Sequence, residues 1–203
     1  MKSLTVLYFV AMLALASCPV WGNDDPAVET LICFRHGEKP PGGYGQLDIR
    51  GLNRSLALPN VLLSKYGKPQ YIFAPDPREK VRDEAGDFYY VRPLATVEPT
   101  AIKCGMPVET PFGFTDTRAL QKELLQSKYQ GATVFVAWEH DNLEIFSKRL
   151  MAELKGDVRQ LPRWHGDDYD YIYVFRISSH GGGREISFTF DHEGLNGLSQ
   201  NYP

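Results

Sequence analysis

Cysteine is scarce in this chain: three in 203 residues, at 18, 33 and 104. That excludes a scaffold built on disulfides, the usual resort of small secreted domains. Positive charge is not in excess either. Lys and Arg number 22 against 25 Asp and Glu, for a formal net charge of −3, so a general nucleic-acid binder is not expected. There is no internal repeat and no domain linker. A calcium loop is missing too, because Asp167, Asp168 and Asp170 lack the glycine and distal glutamate that complete one. Gly181-Gly182-Gly183 lies between two strand-like runs without a following helix, so it reads as a hairpin turn and not as a phosphate cradle.

Long hydrophobic runs are confined to the N-terminus. Lys2 precedes an uncharged apolar stretch from Leu4 to Ala16. That length suits a secretory leader and is short for a membrane span. Cleavage after Gly22 leaves residues 23–203 as one domain, exported to the periplasm or the extracellular space. A second reading stays open: Leu15-Ala16-Ser17-Cys18 looks like a lipoprotein box, with Cys18 as the lipid anchor, although Pro19 weighs against it. Export would permit Cys33 to pair with Cys104, but Cys33 falls in an apolar strand, and two free thiols are expected.

What is present is ordinary globular material, 43% hydrophobic, enough for a real core. Strand and helix patterns alternate. Thr30–Phe34 is the first strand; Leu52–Lys65 is helical, with Pro59 as a break or kink; Gln70–Ala74 is the second strand. Pro75–Asp87 is charged, carries two prolines and reads as a surface loop, with Arg78 and Arg82 solvated. Arg92–Lys103 is helical, with Pro99 as a kink or early end, and Pro107–Thr110 is a short edge strand. Asp116 caps a helix to Tyr129, Thr133–Trp138 is a strand, and Asn142–Leu154 is a helix. Tyr171–Ile177 and Glu185–Phe190 close the domain as a hairpin, with Tyr169, Tyr171 and Tyr173 at strand spacing. Strands alternating with helices predict a three-layer α/β/α fold around a mostly parallel central sheet.

Ligands bind at the carboxyl ends of strands in such sheets. Arg35 and His36 end the first strand, Arg92 opens the helix after the second, and His140 follows the strand Thr133–Trp138. Two guanidinium groups offer planar donors to phosphate oxygens, and an imidazole can attack phosphorus and leave again. His165, His180 and His192 have no such company and read as surface residues.

These segments together resemble the histidine phosphatase superfamily, which includes the phosphoglycerate mutases and the histidine acid phosphatases. Arg35-His36-Gly37 matches its Arg-His-Gly signature, Arg92-Pro93-Leu94-Ala95-Thr96 resembles its second-arginine segment, and Trp138-Glu139-His140 resembles the late strand with the second histidine. The resemblance implies a phosphoglycerate mutase-like fold with His36 as nucleophile and Arg35, Arg92 and His140 as phosphate ligands, and no metal or other cofactor. Lys39 stands where the acid phosphatases carry an arginine and would contact substrate. The proton donor is expected to be Asp141, with Glu139 as the alternative and Glu109 or Asp116 after them. Pro75–Val91 is a longer, charged link than many members of the family carry, yet the chain has no room for the large helical cap of phytase-like enzymes, so the site should be open. The expectation is an exported, metal-independent phosphatase acting on a small phosphorylated substrate through phosphohistidine. The alternatives are an anion-binding module without turnover and a phosphohistidine-protein phosphatase.

Overall fold

In a computed structural model, residues 27–203 are described; the leader at 1–22 and the lipid reading of Cys18 lie outside the described residues. Leu31-Ile32-Cys33-Phe34 have no exposed surface, as a strand covered on both faces requires. They belong to β1 (Val28–Arg35), the middle strand of a five-stranded sheet. On one side lie β5 (Thr133–Trp138) and then β2 (Tyr71–Phe73), both parallel to the core. On the other side, β6 (Tyr171–His180) and β7 (Gly183–His192) form an antiparallel hairpin.

The alternation of side chains along β1 sorts two apolar layers. Ile32 and Phe34 face Leu58 and Leu62 of α1 (Ile49–Tyr66) and Val97 and Ala101 of α2 (Arg92–Cys104). Leu31 and Cys33 face Leu120 and Leu124 of α3 (Thr117–Leu124) and Leu143, Phe146 and Leu150 of α4 (His140–Glu153). The sheet thus lies between two helical layers, the α/β/α architecture expected. Cys33 and Cys104 are buried and free. No helix among the described residues is long and apolar enough to cross a membrane.

Several local expectations are corrected. The break at Pro59 and the early end at Pro99 do not occur, since both prolines sit inside continuous helices. Each removes one backbone hydrogen bond, and burial of the neighbouring side chains against the sheet offsets the loss. Pro75–Asp87 is not a plain loop: Lys80–Asp83 (β3) and Gly86–Tyr89 (β4) pair as a separate antiparallel ribbon. The expected strand at 107–110 is a single bridge between Phe73 and Glu109. The helix expected from Asp116 to Tyr129 ends at Leu124, and a 3-10 turn covers Ser127–Tyr129.

Arg54 is a fully buried cation in α1. It donates to Glu38, at 2.8 and 2.9 Å, and to Glu193, and lies 3.7 Å from Asp170. The loop after β1, the start of β6 and the segment after β7 are therefore fastened at one point. One cation among three carboxylates leaves negative charge to be relieved. Burial pushes Glu193 up to about 8, with Asp170 and Glu38 adding to the rise against the pull of Arg54. The folded protein then holds a proton that the unfolded chain releases near 4.5. Stability should fall as pH rises between those values. Glu29, buried in β1, is also held at about 8 and contributes to the same slope. Urea unfolding of Glu193→Gln across this range should show a shallower loss than the native protein; an unchanged slope would exclude Glu193 as its source.

Candidate active site

The parallel register of β1 with β5 brings the site together. Arg35 stands opposite Trp138, and the His36 amide donates to the Trp138 carbonyl at 3.0 Å. Arg35-His36 and Glu139-His140 therefore leave the sheet side by side. The Gly37 amide donates to Thr96 Oγ1 at 2.9 Å, and that hydroxyl donates to the Arg92 carbonyl at 2.8 Å. These bonds tie the first turn of α2 to the end of β1. Gly37 also lets α1 approach: a Cβ there would lie 2.9 Å from the Gly51 backbone.

His36 is buried, and its Nδ1 lies 2.7 Å from the Gly37 carbonyl oxygen. A carbonyl only accepts, so Nδ1 carries the hydrogen, and a neutral ring keeps a lone pair at Nε2. Burial, with Arg35 and Arg92 adding to it, holds the imidazole well below its usual range. Tyr90 meets the ring edge-on, at 5.9 Å between centroids.

The two arginines are held differently. Arg35 Nη1 donates to the carbonyls of Gly166 and Asp168, at 2.8 and 2.9 Å, and its guanidinium lies 3.9 Å from the Tyr169 ring centre. Arg92 forks onto Asp83, with Nη1 to Oδ2 at 2.7 Å and Nη2 to Oδ1 at 3.1 Å. The Nε atoms of both arginines are buried donors without a partner among the described residues.

Glu139 is the N-cap of α4, so His140 and Asp141 lie in that helix's first turn, two residues before the expected start. Glu139 Oε1 accepts from the Asp141 amide at 3.0 Å, and Oε2 from the Asn142 amide at 2.9 Å. His140 Nδ1 lies 2.6 Å from Glu139 Oε1, off the direction of an ideal hydrogen bond. Burial alone would push Glu139 up, but contact with His140 and the two amides outweighs it and holds the carboxylate down to about 2. Asp141 is largely exposed, with Oδ1 3.6 Å from His140 Nε2. Lys39 is partly exposed, and its Nζ lies 3.9 Å from Asp83.

All seven candidates, Arg35, His36, Lys39, Arg92, Glu139, His140 and Asp141, line one cleft of about 460 Å³. Glu109 and Asp116 do not line it. Sequence reasoning missed Asp83, hidden inside a stretch read as solvated loop, and Tyr90 and Tyr169, which no motif marks. Glu139, His140 and Asp141 offer three ligand atoms within 4.8 Å of one another. The arrangement can hold an anion between guanidinium groups beside a bare imidazole nitrogen.

No family model matches the chain, and no curated protein sequence matches it. Solved structures do. A Nakamurella multipartitia protein assigned as the phosphohistidine phosphatase SixA superposes with a TM-score of 0.54 at 13% identity, over 83% of this chain and 98% of its own. A mycobacterial glucosyl-3-phosphoglycerate phosphatase with inorganic phosphate gives 0.52 at 17% identity, over 80% and 95%. A chain described as mycobacterial hydrolase 2 gives 0.53 at 15%, over 81% and 89%. At such identities the likeness shows a shared fold.

The neutral state of His36 is measurable. Across mildly acidic pH, where a free histidine acquires its proton, the His36 ring should keep the nitrogen shifts of a neutral, Nδ1-protonated imidazole. Nitrogen-15 NMR of the imidazole side chains would follow this, and protonation near the ordinary histidine value would contradict it.

Proposed function

We propose that this chain, which has the fold of the histidine phosphatases, hydrolyses phosphate monoesters through a phosphohistidine formed on His36. The observation that carries the reading is the hydrogen bond from His36 Nδ1 to the Gly37 carbonyl, which leaves Nε2 bare in a cleft lined by two arginines.

The Nε2 lone pair attacks phosphorus, forming the N–P bond as the ester P–O bond breaks. Arg35, Arg92 and His140 donate to the equatorial oxygens, and their charge is worth most where water is excluded. The departing alkoxide takes a proton from Asp141, which then receives one from the water that attacks the phosphohistidine. Glu139 suits a different role. Held at about 2, it stays ionised and orients His140. Lys39, at the mouth, adds charge without the bidentate geometry of an arginine. Positive side chains stand in for a metal ion, so turnover is expected to survive a chelator.

An open cleft of about 460 Å³ favours small phosphorylated substrates. One chain of similar fold bears the name of a glucosyl-3-phosphoglycerate phosphatase and another that of a phosphohistidine phosphatase, so a phosphohistidine peptide is the competing substrate class. Export belongs to the proposal, either free after cleavage following Gly22 or, in the alternative reading, anchored at Cys18, and makes small extracytoplasmic esters the first choice.

Turnover of an aromatic phosphate ester in the presence of chelator should fall by about 10³-fold or more in His36→Ala. Phosphate binding without turnover by a folded native protein would favour an anion-binding module instead. Asp141→Asn should lower turnover of an alkyl phosphate about 10²-fold while sparing an ester whose leaving group needs no proton. Equal effects on both esters would remove Asp141 as the acid.

A further inference from the structure

Asp83 is a buried carboxylate on an otherwise exposed ribbon, β3–β4. Its two oxygens take the Nη1 and Nη2 donors of Arg92, the same fork that a phosphoryl group would use. The seat for this carboxylate is built. The Gly45 amide donates to Oδ2 at 2.8 Å, and the Ala85 amide at the ribbon's turn donates to the Gly42 carbonyl at 3.1 Å. Gly43, at φ +82°, leaves room that a Cβ would take, since it would lie 2.2 Å from the Asp83 carboxyl carbon. Gly45, at φ +67°, allows the Tyr89 carbonyl in the same way. The glycine run after the Arg-His-Gly segment is thus shaped to receive the ribbon.

We infer that Asp83 is an internal competitor for Arg92, which substrate phosphate must displace, and that this displacement is coupled to uptake of a proton by the Asp83 carboxylate. The inference rests on reading the cleft as a phosphate site. The coupling follows from the groups that face Asp83. Arg92 from α2 and Lys39 from the loop after β1 favour its ionised form, as does the Gly45 amide. Arg82 lies on its own strand, and His36, Glu139, His140 and Asp141 line the rest of the cleft. With the cleft as it stands, Asp83 is held below the usual carboxylate range against the effect of burial. A phosphate dianion on Arg92 takes away both charge-assisted hydrogen bonds and adds a like charge beside the carboxylate. Both changes favour the neutral acid. A proton from solvent joins Asp83 as phosphate binds, so affinity for the dianion gains from acidity until the free carboxylate itself is protonated. Asp83 thereby sets both the strength and the pH dependence of phosphate recognition.

Calorimetric titration with inorganic phosphate tests this in native protein and in Asp83→Asn, near neutral pH and again at about pH 5, in buffers of different ionisation enthalpy. Asn keeps the size of the side chain and can still accept from the Gly45 amide, but carries no charge. The expected result is about tenfold tighter phosphate binding by the variant, with proton uptake reduced by up to one proton at the acidic pH. Equal or weaker binding by the variant, or equal proton uptake, overturns the inference while leaving the phosphate site in place. No binding by either protein overturns both the inference and the reading it rests on. Asp83→Ser supplies the same comparison if the Asn form unfolds, and because inorganic phosphate exchanges its own proton in this pH range, the quantity read is the difference in proton uptake between native protein and variant.

Discussion

The pairing of β1 with β5 is the constraint on which the site depends. A one-residue slip between those strands would turn their buried side chains to the opposite faces. It would also separate Arg35-His36 from Glu139-His140. The register is fixed from both faces of the sheet, because Ile32, Phe34, Phe135 and Ala137 pack against one helical layer and Leu31, Cys33, Val134 and Val136 against the other. The bond from the His36 amide to Trp138 carries this order one residue beyond the strand. Placing the two histidines beside each other is therefore a result of core packing.

Beyond the sheet, the segment that follows Arg-His-Gly acts as the hub. Gly37 is bonded to Thr96 of α2 and lies against Gly51 of α1. Glu38 holds the buried Arg54, which also holds the segment after β7 through Glu193. Gly43 and Gly45 seat the β3–β4 ribbon through Asp83. Buried charges are costly unless paired, and here each pairing links elements distant in sequence. The cost of burying Arg54 and Arg92 is offset by partners that also fix where the loop runs. Losing one partner would leave a charge stranded and release a loop, so stability and site geometry are joined in this region.

Much of this was legible in the residues themselves. The run Thr30–Phe34 announced a doubly buried strand, and Arg35, His36, Arg92 and His140 fell at ends of elements where a parallel sheet gathers ligands. The helices run on through Pro59 and Pro99 because tertiary packing overrides the local propensity to stop there. Asp83 was invisible for another reason. Lys80–Asp83 and Gly86–Tyr89 are short, charged and mostly exposed, with no apolar alternation to mark a strand. Only the glycines at 42, 43 and 45 hinted that a second backbone comes close, and glycines in a turn carry that hint weakly. Tyr169 shares the strand spacing of Tyr171 and Tyr173, yet it precedes β6 and stacks on Arg35. Spacing alone cannot separate those two fates.

For the proposed reaction, the charges in the cleft matter because the imidazole must keep its lone pair among cations that would hold the phosphate. After burial, Arg35 and Arg92 lower the proton affinity of His36, so under the proposed function the groups that would bind phosphate also keep Nε2 unprotonated. Left alone, such a cluster would hold excess positive charge in a place of low dielectric. Asp83 and Glu139 offset part of the charge of Arg35, Arg92 and Lys39 before any substrate arrives. The carboxylates share this task unequally. Glu139 is fastened by two amides and cannot leave, Asp141 stands in solvent, and Asp83 is held on a ribbon by the very donors a phosphate would claim. Lys39 fits this division because a compact ammonium can lie beside Asp83 without competing for the bidentate fork. An arginine in its place would offer a second fork, and the carboxylate would have a rival seat outside Arg92.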